Sequence, residues 1–180
     1  MEVNKDAFSS GQIGSKIWLC EELERLKWTS NETAVYAGWQ GLLSFLLLSR
    51  GKFKVHKIRS YDIDPSCEPI ADMINENWVW QDWKFKAYTQ DCNLLSTAAD
   101  LVINTSTEHF ETKDWFDNIP YQTKVILQGN DMIHDDHKVY SGNLQEFMYH
   151  YPLRKTYYSD QLSFEYPSWK FTRFMIIGIK

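Results

Sequence analysis

Several short polar clusters stand out in the 180-residue sequence because each follows a short apolar, β-prone run. Gly38-Trp39-Gln40-Gly41 follows Thr33 to Ala37, and Asp62-Ile63-Asp64-Pro65 follows Lys54 to Tyr61. Thr89-Gln90-Asp91-Cys92 follows Trp83 to Tyr88. The run Ala99 to Asn104 leads into Thr105 to Phe110, which holds Glu108-His109. Thr123 to Gln128 leads into Gly129-Asn130-Asp131, with His134-Asp135-Asp136-His137 just beyond. Glycines let a backbone approach a ligand closely, and a carboxylate at a strand end can accept both hydroxyls of a ribose. An imidazole exchanges a proton near neutral pH and suits deprotonation of an oxygen or nitrogen nucleophile. Plainer readings exist: Asp62 as a carboxylate capping the turn before Pro65, and His109 as a surface residue.

Positioning these clusters takes alternating strands and helices. Between the first two strands, Leu42 to Leu48 is an apolar run closed by Ser49-Arg50-Gly51, a helix with its terminal glycine in place. Strand, glycine turn, helix, strand is a βαβ unit, and the glycine turn precedes Asp62 by about the 20 residues such units show. Ser66 to Asn77 reads as a second crossover helix, Thr112 to Asn118 as a helix ended by Pro120, and Ser141 to Tyr149 as another. Thr156 to Ser163 and Lys170 to Ile179 read as two strands around a turn at Pro167. Before the first strand, Met1 to Ser10 is polar and expected to be mobile. Gly11 to Lys16 then leads into an amphipathic helix carrying Ile17, Trp18, Leu19, Leu23 and Leu26. The pattern predicts one α/β domain with a doubly wound, Rossmann-like sheet, whose ligands lie outside the carboxyl ends of its strands.

Tyr61-Asp62-Ile63-Asp64-Pro65 resembles the second acidic phrase of the class I S-adenosylmethionine-dependent methyltransferases. Val35-Tyr36-Ala37-Gly38-Trp39-Gln40-Gly41 is similar, more loosely, to their G-x-G-x-G turn. The acidic residue that usually precedes the first glycine is absent here, and a bulky residue replaces the middle one. The resemblance runs from the first strand to the end of the chain. It implies a seven-stranded, mostly parallel sheet with an antiparallel C-terminal strand and helices on both faces, bearing S-adenosyl-L-methionine. It implies Ala37, Gly38, Gly41, Asp62, Ile63, Asp91, Cys92, Asn104 and Lys16 as cofactor contacts, with Asp91 facing the adenine amine and the Cys92 amide facing the ring. The first 30 residues would fold over the cofactor, with Gln12, Ser15 and Lys16 near its carboxylate; a mere helix start is the competing reading. Gln12, Asn130 and His137 would meet the acceptor, with His109 as base and Glu108 orienting the acceptor hydroxyl or amine.

Composition narrows the function. A net charge of -5, from 19 basic and 24 acidic residues, disfavours broad binding to a phosphate backbone. The 3 cysteines are too few and too scattered for a disulfide framework or a cysteine zinc site. No apolar run is long enough to span a bilayer, so a cytoplasmic setting with no membrane partner is the expectation. The 8 tryptophans and 10 tyrosines exceed an ordinary core's needs and could line a pocket. The expected activity is O- or N-methylation of a small-molecule acceptor, and a second copy in a homodimer is the remaining candidate partner. Aminocarboxypropyl transfer from the same cofactor, or a non-catalytic interaction role, are the competitors. For His134 to His137, four adjacent polar residues need not converge on one ion, and no metal is expected.

Overall fold

The computed structural model describes residues 3–166 and 170–180. Strands β1 (Thr29–Tyr36), β2 (Lys54–Asp62), β3 (Phe85–Thr89), β4 (Leu101–Asn104) and β5 (Lys124–Asn130) alternate with helices. These are α1 (Ser10–Leu26), α2 (Leu42–Arg50), α3 (Cys67–Ile74), α4 (Glu76–Val79) and α5 (Asp114–Asp117). Helix α6 (Leu144–His150) precedes the hairpin β6 (Lys155–Glu165) and β7 (Lys170–Ile179). The sheet order is β3-β2-β1-β4-β5-β7-β6. Pairs among the first five strands are parallel, and β7 runs antiparallel to both β5 and β6. This is the seven-stranded arrangement the resemblance implies. The turn expected at Pro167 lies outside the described residues.

The order reverses between β1 and β4, which opens a crevice at the carboxyl ends of the central strands. Both sheet faces are covered. One core packs Leu19 and Leu23 of α1 and Leu43 and Leu47 of α2 against Val35, Ile58, Ile103 and Ile177. The opposite core packs Trp115 of α5 with Phe147 and Tyr151 near α6 against Ala34, Val102, Leu127 and Ile176. Helix α2 ends where its sequence says, with Gly51 in the left-handed region at φ 65.

Two expectations for the N-terminus need correction. Residues Lys5–Phe8 form a 3₁₀ turn, Ala7 is buried, and the Asn4 amide donates to Gln40 Oε1 at 3.1 Å. This segment is tied to the loop after β1. Gly11 to Lys16 lies within α1, not before it, because Gly11 and Gly14 face the β6–β7 hairpin. A Cβ on Gly14 would lie 3.0 Å from the Phe164 ring. The glycines there serve close packing and not helix initiation. The second crossover is also split, α3 giving way to α4 at the buried Asn75.

Candidate active site

The turn after β1 alternates in backbone conformation: Ala37 (φ 47), Trp39 (φ 48) and Gly41 (φ 78) are left-handed. The G-x-G-x-G register therefore falls on 37, 39 and 41, and two of the three positions carry side chains that cost about 1–2 kcal/mol there. Hydrogen bonds hold the turn nonetheless. The Trp39 amide donates to Asp62 Oδ2 at 2.9 Å, and the Ala37 amide donates to the Cys92 thiol. Burial pushes that thiol up to about 12, so it stays neutral.

Gly38, expected as a cofactor contact, is one of the out-of-register residues. It does not line the cavity; its amide donates to Tyr61 O at 3.0 Å, and a Cβ would lie 2.0 Å from Ser60 Oγ. Gly41 also faces away, its carbonyl accepting from Asn75 Nδ2 at 3.1 Å. Gly38→Ala is expected to destabilise the fold by about 1–3 kcal/mol through overpacking. Ser60→Ala should recover part of that in a urea-unfolding double-mutant cycle. A purely additive cycle would show that the glycine serves something other than this packing.

Asp62 stands at the end of β2 and lines a cavity of about 990 Å³. Besides the Trp39 amide, it accepts the Asp64 amide on Oδ1 at 3.0 Å, so the plainer capping role is also present. Burial raises its pKa, partly offset by these amides. Beside it, Ile63 offers a side chain that is 70% exposed. Asp91 at the end of β3 accepts the Asn93 amide on Oδ1 at 2.8 Å. Ala37, Asp62, Ile63, Asp91 and Cys92 thus share one cavity wall, and the first turn of α1, with Ser10, Gly11 and Gln12, forms another.

Lys16 does not reach this cavity. It sits buried in the second turn of α1 with Nζ donating to Gln12 Oε1. Burial, reinforced by the Arg173 charge, lowers its pKa to about 7. Asn104 is fully buried and accepts the Ser106 amide at 2.9 Å, shaping the loop without lining the cavity.

The far end of the cavity is built by the loops after β4 and β5. Lys138 N and Val139 N both donate to Glu108 O, at 2.7 and 3.2 Å, which stitches the two loops together. The buried Glu108 carboxylate accepts from Asn130 Nδ2 and, at 3.4 Å, from Arg173 Nη1 through the same oxygen. Its other oxygen has no hydrogen-bond partner among the described residues. His109 Nδ1 lies 3.3 Å from Asp136 O, and His137 Nδ1 lies 2.9 Å from Met132 O. A carbonyl only accepts, so Nδ1 is the donor in each ring, and the neutral form of either ring then has its lone pair on Nε2. The rings meet edge to face with centroids 4.9 Å apart.

Gln12, Glu108, His109, Asn130 and His137 all line this one cavity. Arg173 was not foreseen. It is 5% exposed, pairs with Asn130 across β5 and β7, and donates to Thr105 O at 3.1 Å. Its signal was a charged residue inside the apolar run of a strand buried on both faces, Lys170–Ile179. Trp39, His134 and Asp136 also line the cavity.

No protein-family model and no curated protein matches the sequence. Solved structures do. The N-methyltransferase NodS of Bradyrhizobium japonicum WM9, in complex with S-adenosyl-L-homocysteine, superimposes with a TM-score of 0.70 at 10% identity. That match covers 94% of this chain and 88% of NodS. The magnesium protoporphyrin IX methyltransferase ChlM of Synechocystis PCC 6803, with bound S-adenosylmethionine, gives 0.68 at 12% identity over 99% of this chain and 86% of that one. A Pyrococcus horikoshii protein provisionally named as an RNA methyltransferase gives 0.63 at 12% identity, over 91% and 83%. The fold is that of the class I S-adenosylmethionine-dependent methyltransferases.

Proposed function

We propose that this protein is an S-adenosylmethionine-dependent methyltransferase acting on a small-molecule oxygen or nitrogen acceptor. The supporting observation is one continuous cavity joining Asp62, at the end of β2, to the Glu108, His109 and His137 group after β4 and β5. Its acceptors and apolar surfaces fit the cofactor. The Asp62 oxygens each keep a lone pair beyond their amide partner and can take ribose hydroxyls. Ile63 and Ala37 offer apolar surface to a purine ring, and Asp91 offers a carboxylate to its amine. Bound S-adenosylmethionine supplies an electrophilic methyl carbon on a sulfonium. The chain's own residues align the acceptor and take its proton, at His109 Nε2, while Glu108 orients the acceptor.

Among the described residues, seven carboxylates and one guanidinium line the cavity, and no lysine does. That balance disfavours a phosphate-rich acceptor and favours a neutral or amine-bearing small molecule. Aminocarboxypropyl transfer would leave methylthioadenosine in place of S-adenosylhomocysteine, so product analysis separates the two reactions.

Calorimetric titration with S-adenosylmethionine tests the reading, and absence of any heat would favour a non-catalytic role. Asp62→Asn is expected to weaken binding by about 10- to 150-fold, from loss of charged hydrogen bonds worth about 1.5–3 kcal/mol. It should also lower stability, because one of the two bound amides then faces a donor. The pH trend follows from the raised folded pKa of Asp62. Cofactor affinity falls on acidification while the carboxyl still ionises above an ordinary aspartate's range, and this extra limb is absent in Asp62→Asn. For the cofactor-free fold the sign is opposite. The group's contribution is fully present below the unfolded pKa and is lost as pH rises through the folded one.

A further inference from the structure

We infer that Glu108, His109 and His137 form a binding site for one divalent first-row transition ion. A ligand atom from each of the three lies within 4.8 Å of the others. Ligands at about 2.1 Å around a tetrahedral ion are about 3.4 Å apart, so closure asks for a shift of about 1 Å. The imidazoles sit on surface loops, exposed for His109 and half-buried for His137, and have room for it.

Three further observations point to an ion. The first is the Glu108 carboxylate, 3% exposed, with one oxygen held by Asn130 and Arg173 and the other without a hydrogen-bond partner among the described residues. A buried, unpaired carboxylate oxygen is costly unless something charged meets it. The second is the tautomer of both rings. Each histidine gives its Nδ1 proton to a backbone carbonyl, Asp136 O or Met132 O, which turns Nε2 into a ligand lone pair. Metal-binding histidines are oriented by this kind of outer hydrogen bond. The third is the field: the acidic excess along the cavity wall attracts a cation.

Two imidazole nitrogens with one carboxylate oxygen suit zinc, cobalt or ferrous iron better than magnesium or calcium, which take oxygen ligands. Three protein ligands leave a coordination position open toward the cavity. There an acceptor hydroxyl would bind and, with its pKa lowered by the ion, would release its proton to solvent water, so that no base would be needed from His109, whose Nε2 would hold the ion. That role rests on the methyltransferase reading; binding of the ion does not. The expectation of no metal rested on His134 to His137 with Asn130-Asp131 and on Asn104 at the end of the fourth strand, whereas Glu108 and His109 supply the partners from the other loop.

The test uses chelator-stripped protein titrated with Co²⁺, followed by visible absorption, and with Zn²⁺, followed by calorimetry. One saturable equivalent is expected, Zn²⁺ displacing Co²⁺, with no heat from Mg²⁺. His109→Ala and His137→Ala should each weaken binding at least tenfold, and His56→Ala, on a remote exposed surface, should not. No saturable binding would overturn the site. So would wild-type affinity in the double His109→Ala, His137→Ala variant or, should that variant not fold, in Glu108→Gln. Titrating S-adenosylmethionine in parallel keeps the two readings apart. An ion bound without the cofactor strikes the methyltransferase reading alone, and cofactor bound without an ion strikes this site alone.

Discussion

Lys16→Met is expected to raise the unfolding free energy by about 2–5 kcal/mol at pH 6, and by much less near pH 10. The folded pKa is lowered to about 7 from 10.5, first by burial and then by the Arg173 charge, with Glu108 opposing. The unfolded chain therefore keeps its proton up to about pH 10.5, while the fold releases it near 7. Below 7 both states are protonated and the fold carries the full desolvation cost. Between the two values the unfolded state binds more protons, so wild-type stability rises with pH through that window. Methionine fills a similar volume without the charge, which removes both the cost and the pH dependence. Urea unfolding at pH 6, 8 and 10 measures it. The amine does not line the cavity, so cofactor affinity should change little. A variant that is no more stable at pH 6, or that loses the cofactor, would show that the amine serves a ligand through Gln12.

The strand ends were legible because the strands are short, apolar and punctuated by polar residues, so Asp62, Asp91, Glu108 and His109 were placed by counting alone. The five-strand alternation and the final hairpin follow from the same periodicity. The conformation of the turn after β1 was not legible. Gly38 looks like the residue that would take a left-handed backbone, yet that conformation falls on Ala37 and Trp39. What decides it is tertiary: Ser60 leaves no room for a Cβ at 38, and Asp62 and Cys92 bind the amides of 39 and 37. Lys16 misled for a related reason. The resemblance implies Lys16 near the cofactor carboxylate, but Lys16 lies on the face of α1 that carries Cys20 and Leu23, and that face packs into the fold and buries it.

Convergence across loops is harder still to read from a sequence. His137 and Glu108 are brought together by the hydrogen bonds from Lys138 and Val139 to the Glu108 carbonyl. Arg173 comes from the opposite end of the chain, and reaches Glu108 only because β7 inserts beside β5 with Asn130 and Arg173 in register. A sheet that closes with an inserted antiparallel strand makes such a neighbour; periodicity along one strand shows only that its charge is misplaced.

His109→Ala is expected to lower turnover by about 10²–10⁴-fold, the range for loss of a positioned general acid or base. S-adenosylmethionine affinity should stay within about threefold of wild type, the signature of a group used at the reacting centre. The separation follows from the site's layout: Asp62, Ile63 and Asp91 lie at the ends of β2 and β3, while His109 follows β4. The experiment is clean because His109 is exposed and, among the described residues, its side chain makes one hydrogen bond, the 3.3 Å bond from Nδ1 to Asp136 O. Its removal should therefore cost about 0.5 kcal/mol of stability or less. Release of S-adenosylhomocysteine, with an acceptor found by screening neutral and amine-bearing small molecules, gives the rate. An unaltered rate removes His109 from the reaction, and a parallel loss of cofactor affinity moves its loop into the nucleoside half of the site. Base and ion ligand then part company on two treatments. Free imidazole should restore turnover to the variant if the ring acts as a base. Chelator should slow the wild-type enzyme if the ring holds an ion, because stripping the ion then removes the group that acidifies the acceptor.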